Sequence, residues 1–248
     1  MSKRVAIVLA AGRGVRMDSD LPKVLVPVCG CPMIDFVVEA LRAGGVDEIV
    51  VVVGYRSDLV REHLADQPDV TFVEQTEQLG TGHAVMMCRE ALADHDGAVL
   101  VVTGDSPLTQ SSSIAKLLVA FDRDRPACIV GSTYTEHPLG LGRIVRDRTG
   151  HFLGIVEEKD ATVEQRKITE VNMSTYVFDC QKLLDALEDL TTENAQQEYY
   201  ITDCPGILKA AGEEVHALDV LDPSEALSIN TLEQLAEVEA EMRRLGVG

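Results

Sequence analysis

Short apolar runs alternate with longer amphipathic segments through the first half of the chain, the signature of βαβ units and a mainly parallel sheet. The pattern predicts strands at 5–9, 48–53, 70–73, 98–103 and 127–133. The stretches 49–53 and 99–102 are almost wholly apolar, as strands covered on both faces must be. Between them, 33–43, 58–65, 83–93 and 112–122 carry apolar residues at helical spacing, with Pro32 suited to the first turn of the first helix. These segments supply the crossovers. Beyond Pro138 the period changes, and 142–146, the turn Asp147-Arg148-Thr149-Gly150 and 152–156 read as an inserted antiparallel hairpin. A strand at 171–178, helices at 183–190 and 201–211, a strand at 215–218 and an amphipathic helix at 231–245 complete the chain. The expected fold is α/β, a Rossmann-like mixed, mainly parallel sheet flanked by helices, with the hairpin inserted.

Composition narrows the partners. With 41 acidic against 22 basic residues the formal charge is -19, which excludes a general nucleic-acid binder, because such affinity rests on clustered Lys and Arg. The apolar run 5–11 is far shorter than the ~18 residues a membrane span needs, so no membrane partner is expected. The cysteines at 29, 31, 88, 128, 180 and 204 are scattered, and the one close pair lacks the second pair that structural zinc requires. Cys29 and Cys31 are expected to be small buried hydrophobes, and reduced thiols suit a cytoplasmic protein. The sequence does not disclose an oligomeric state.

The most informative stretch is Leu9-Ala10-Ala11-Gly12-Arg13-Gly14-Val15-Arg16-Met17, followed by Leu21-Pro22-Lys23. Small residues leaving a strand let backbone N–H groups approach phosphate oxygens, and Arg16 and Lys23 bring the charge to neutralise a triphosphate. A dinucleotide fingerprint would need glycine where Met17 stands and an acidic residue where Gly54 stands, and no P-loop run exists.

At these residues the chain resembles the sugar-1-phosphate nucleotidyltransferases, whose L-A-A-G-x-G-x-R-M and P-K signatures it carries. The resemblance continues through Glu77-Gln78-Leu79-Gly80-Thr81-Gly82-His83-Ala84, Gly104-Asp105-Ser106-Pro107-Leu108, Gly140-Leu141-Gly142-Arg143-Ile144, Gly154-Ile155-Val156-Glu157-Glu158-Lys159-Asp160-Ala161 and Gln197-Glu198-Tyr199-Tyr200-Ile201-Thr202-Asp203. Together these are similar to the N-terminal uridyltransferase half of the bacterial bifunctional N-acetylglucosamine-1-phosphate uridyltransferase/glucosamine-1-phosphate acetyltransferase. The resemblance implies the nucleotide-diphospho-sugar transferase fold in a single domain, with a nucleotide-binding part over about 1–110, a sugar-binding part over about 111–230 and a C-terminal helix at 231–245. It implies transfer of UMP from UTP to N-acetylglucosamine-1-phosphate with Mg²⁺. Leu9, Ala10, Ala11, Gly12, Gly14, Gln75, Gly80, Thr81, Thr103 and Gly104 would surround the nucleotide, and Arg16 and Lys23 its phosphates. Asp105 and Asn230 would hold the metal, Gly142, Glu157 and Asn172 the sugar, and Arg16, Lys23 and Asp105 would be the catalytic set.

Plainer roles compete with these. Asp105 and Asn230 each suit a helix N-cap, His83 in a first helical turn is expected to be structural because the reaction removes no proton, and Tyr199-Tyr200 are expected to pack, with Thr202 and Asp203 as polar lining. Two features depart from the family. Met173 follows Asn172 where small residues are usual, which bears on sugar choice, and no hexapeptide repeats of a left-handed β-helix occur, so acetyl transfer is not expected of this chain. Glucose-1-phosphate or another hexose-1-phosphate, dTTP or CTP in place of UTP, and a noncatalytic nucleotide-sugar sensor stay open as alternatives.

Overall fold

The computed structural model describes residues 3–14 and 20–247. In chain order the first half comprises β1 (Val5–Ala10), β2 (Pro27–Val28), β3 (Cys31–Pro32), α1 (Met33–Ala43), β4 (Glu48–Val53), α2 (Ser57–His63), β5 (Val70–Glu74), α3 (Thr81–Met86), β6 (Ala98–Thr103) and α4 (Ser111–Asp124). The second comprises β7 (Cys128–Tyr134), β8 (Gly142–Arg146), β9 (Phe152–Val156), β10 (Glu170–Asp179), α5 (Cys180–Glu188), α6 (Cys204–Ala210), β11 (Val215–Asp219) and α7 (Leu232–Leu245).

Among the described residues nine strands share one sheet, ordered β11-β7-β10-β6-β1-β4-β5, with β8 joined to β10 and β9 to β8. The pairs β1–β4, β1–β6, β4–β5 and β7–β11 are parallel, while β10 runs antiparallel to both β6 and β7. Each face of this apolar sheet must be covered, and two core layers do so. One packs α3, α5 and α6 against Ile7, Val101, Val130, Tyr176 and Phe178. The other packs α1, α2 and α4 against Val8, Val51, Leu100 and Val177. A smaller cluster of Val28, Met33, Leu108, Ile229, Val238 and Met242 seats the β2–β3 hairpin against α7.

The mixed, mainly parallel sheet and its antiparallel hairpin are as the periodicity predicts. Three local expectations are corrected. The helix expected over 83–93 is α3, which starts earlier, after Gly80 at φ +112°, and gives way to turns after Met86. Cys88 and Leu92 stay wholly buried in those turns, so the burial rhythm outlasts the helix that it suggested. The helix expected from 201 opens with a tight turn at Ile201–Asp203, and α6 begins at Cys204 with Pro205 in its first turn. Cys29 and Cys31 are not buried hydrophobes. They flank Gly30 at the hairpin tip, Cys29 half-buried at φ +49° and Cys31 exposed, while Cys88, Cys128, Cys180 and Cys204 fill the core. Among the described residues no helix is long and apolar enough to cross a membrane.

Candidate active site

The carboxyl ends of β1, β5 and β6 open onto a cleft of about 310 Å³, at the edge where open α/β sheets hold ligands. Leu9, Ala10, Ala11 and Gly12 line it as they leave β1; Gln75, Gln78, Gly80 and Thr81 form one wall, and Lys23, Thr103 and Asp105 the other. The wall is built by backbone contacts that admit no side chain. A Cβ on Gly54 would lie 2.8 Å from the Ala11 Cβ, and one on Gly80 2.5 Å from the Tyr199 carbonyl oxygen. The Ala11 carbonyl accepts from Tyr55 N at 3.1 Å and from Gln78 Nε2 at 2.9 Å, tying β1 to the loops after β4 and β5. Gln75, buried, donates from Nε2 to the Gly80 carbonyl and to His83 Nδ1, both at 3.0 Å. Its second bond and the stacking of its ring on Tyr199 give His83 the structural role expected of it.

Lys23 organises the polar side. Its ammonium lies 2.6 Å from Asp105 Oδ2 and donates to Asn230 Oδ1 at 3.2 Å. Gly14, at φ +68°, leaves room for the lysine stem, since a Cβ there would sit 2.8 Å from Lys23 Cβ. Gly104 stands behind the wall, its N–H donating to the Leu9 carbonyl at 2.9 Å and its Cα against Val8 and Val24. Neither competing cap role holds: Thr231 caps α7 by accepting from Gln234 N, and Asp105 faces Lys23. Asn230 is instead anchored through its own N–H, which donates to Gln234 Oε1 at 2.8 Å. In the loops that follow β1 and β4, Arg13 stacks 5.1 Å over the Tyr55 ring and Arg56 donates to the Asp20 carbonyl at 3.3 Å. Arg16 lies outside the described residues.

Gly142, Glu157 and Asn172 do not line this cleft; they come together beside it. Asn172 on β10 is opposite Gly142 on β8, and the neighbouring rung pairs Arg143 with Val156 on β9, so Glu157 follows directly across from Gly142. The absent side chain of Gly142 leaves the space between carboxylate and amide open; a Cβ there would lie 3.6 Å from Asn172 Nδ2. Burial first, then Asp203 and Asp160, push the Glu157 carboxyl above its usual range, with Thr202 opposing. Burial and Asp160 likewise raise Asp203. Met173 packs in the opposite core layer, on the α1–α4 side, so its bulk does not enter this row. The segment after α5 links the cleft to this row: Glu198 lines the cleft, Ile201 N donates to Thr81 Oγ1 at 3.1 Å, and Thr202 and Asp203 stand beside Glu157. Sequence reasoning had not singled out Gln78 and Glu198 as lining residues, although both fall inside the motifs that carry the resemblance.

Among the described residues no group of three or more His, Cys, Asp or Glu could hold a metal ion. Asp105 and Asn230 nevertheless meet at a single cation, the Lys23 ammonium, so their oxygens reach a common point. One carboxylate and one amide oxygen fit a hard divalent cation that draws its other ligands from phosphate and water.

A model of the MobA-like NTP transferase domain matches residues 6–198. The chain belongs to this family. Among curated relatives, the bifunctional protein GlmU of Listeria innocua is 46% identical over 244 residues, covering 98% of this chain and 53% of GlmU. GlmU of Geotalea daltonii is 45% identical over 237 residues, 96% of this chain and 52% of its own length. The chain thus spans about half the length of the curated relatives it matches. A solved structure of UDP-glucose pyrophosphorylase complexed with UDP-glucose superposes with a TM-score of 0.78 over 99% of this chain and all of its own, at 16% identity, a likeness of fold.

Proposed function

We propose that the chain transfers UMP from UTP to N-acetylglucosamine-1-phosphate with Mg²⁺, releasing pyrophosphate and UDP-N-acetylglucosamine. The observation that carries this reading is the convergence of Lys23, Asp105 and Asn230 at one point on the rim of a cleft floored by Leu9, Ala10, Ala11 and Gly12. Identity of 45–46% to GlmU across nearly the whole chain supports the choice of substrates.

In this reading the turn after β1, with Gly14, Gln75, Gly80, Thr81, Thr103 and Gly104, cradles the nucleotide, and Lys23 and Arg16 balance its phosphates. Asp105 and Asn230 hold Mg²⁺, which when bound spreads the charge of the triphosphate. The row of Asn172, Gly142 and Glu157 orients the sugar so that its phosphate oxygen, already ionised, attacks the α-phosphorus in line with departing pyrophosphate. No protein nucleophile or base is required. The substrates and the reduced thiols fit a cytoplasmic enzyme.

Pyrophosphate release is the test, measured for UTP, dTTP and CTP against N-acetylglucosamine-1-phosphate and glucose-1-phosphate, with and without chelator. The expected result is fastest turnover for UTP with N-acetylglucosamine-1-phosphate, abolished by chelator and reduced at least ~100-fold in a folded Asp105→Ala variant, the scale on which loss of one preorganised electrostatic group is felt. A preference for glucose-1-phosphate would replace the sugar assignment, and no turnover with any pair would leave the sensor reading.

A further inference from the structure

The segment Asn172-Met173-Ser174-Thr175-Tyr176 departs from a regular strand. β10 pairs with β7 up to Asn172 and again from Tyr176, with the register shifted between them and Ser174 at φ +50°. In flat strand geometry residues four apart lie about 13 Å from each other along the chain. Here the irregularity brings Asn172 Nδ2 to 2.7 Å from the Tyr176 hydroxyl. The Ser174 N–H, which can only donate, lies 3.2 Å from the other amide atom of Asn172 and identifies it as Oδ1. Nδ2 therefore donates to the tyrosine oxygen, and the amide is gripped at both ends. Both side chains are buried, Asn172 4% and Tyr176 0% exposed, and Tyr176 leans on Phe178 with ring centroids 5.7 Å apart. Burial first and then the Glu157 carboxylate hold the hydroxyl well above its usual pKa, so it stays protonated at neutral pH.

Taking the row of Asn172, Gly142 and Glu157 as the sugar site proposed above, we infer that Tyr176 is the positioning residue of that site. With one Nδ2–H spent on Tyr176 and one Oδ1 lone pair on Ser174, Asn172 presents its second N–H and second lone pair in a fixed plane over Gly142. A planar donor–acceptor pair of that kind matches a sugar hydroxyl or acylamino group and contributes nothing to the nucleotide.

The test is steady-state kinetics of the full chain carrying Tyr176→Phe, which keeps the ring and removes the acceptor. The KM for the sugar phosphate should rise about tenfold, the scale of one lost hydrogen bond to a positioned group. The KM for UTP should stay within about twofold. An unchanged Tm for Tyr176→Phe, with Phe178→Leu as a second variant that disturbs the same packing but leaves the hydroxyl and should not repeat the split, guards against a packing artefact. In an Asn172→Ala background, Tyr176→Phe should add nothing, because the tyrosine acts only through the amide. Equal effects on both substrates, an unchanged sugar KM, or additive losses in the double variant would each overturn the inference. The wild-type substrate panel separates the two readings: if another sugar phosphate is preferred, the sugar assignment falls while the same split, measured with that substrate, still decides the role of Tyr176. A wild-type chain that turns over no sugar phosphate sinks both.

Discussion

In the proposed sugar site, Glu157 is a residue that would serve the site at the expense of the fold. Its carboxyl is pushed up by burial and by Asp203 and Asp160, so the ionised form is disfavoured in the folded chain. A group with a raised folded pKa contributes stability that is full below its unfolded value, near 4.5, and lost as pH rises through the folded value. Glu157→Gln, which stands in for the protonated acid, is therefore expected to melt higher than the wild type at pH 7, with the gap closing as the pH falls toward 4.5. It should raise the sugar-phosphate KM about tenfold or more, as loss of a charged hydrogen-bond partner does. Calorimetric Tm against pH and initial rates check the two halves; an equal Tm gap at pH 4.5 and 7 would contradict the burial account. At this scale the sequence was partly legible. The small residues after β1, Lys23 and Asp105 announce themselves by type and spacing, whereas Tyr176 does not, because only the irregularity at Ser174 brings its hydroxyl to Asn172.

Among the elements, the cleft depends on how β1 and β4 end together. Gly54 follows β4 with its Cα against Ala11, and a Cβ there would lie 2.8 Å from the Ala11 Cβ and 2.9 Å from the Ala11 carbonyl oxygen. Both neighbours are main-chain or rigid. Gly54→Ala is thus expected to cost about 1–3 kcal/mol of stability, as overpacking does, and to raise the UTP KM severalfold by displacing the turn at Gly12. Chemical denaturation and a UTP titration check this, and a variant with wild-type values in both would show that the loops after β1 and β4 move independently. The strands were readable because those buried on both faces are apolar throughout, as 49–53 and 98–102 are. α3 was not, because Cys88 and Leu92 keep helical burial spacing in residues that have already left the helix. The proposed sugar-side row was readable as motifs but not as a row, since Gly142 on β8 and Glu157 just beyond β9 meet Asn172 only through the long-range pairing of β8 with β10.

Over the whole molecule, a formal charge of -19 surrounds a site proposed for two anions. Lys23 acts locally at the cleft, while the acidic remainder of the surface would repel such anions at range. The Debye length shrinks from about 30 Å at 0.01 M salt to about 8 Å at 0.15 M, which screens the distant charge more than contact pairs. Raising monovalent salt across that interval is therefore expected to hold or increase kcat/KM for UTP, and a steep fall would mean that long-range attraction dominates. The same molecule-wide view exposes what β10 does. Among the described residues it alone joins the parallel group β6-β1-β4-β5 to the pair β7-β11, and its far end carries the hairpin. Along that one ribbon, Val177 faces Leu100 on β6, the strand that ends at the cleft, and Asn172 faces Gly142 in the proposed sugar site. In the proposed function, the distance between the two substrates is thereby kept as a count of residues. Adding one residue between 172 and 176 would put Met173 in the place of Asn172, and deleting one would put Val171 there; both flanking stretches would stay apolar enough to pair, yet at the proposed sugar site a chemical reader would become a blank wall.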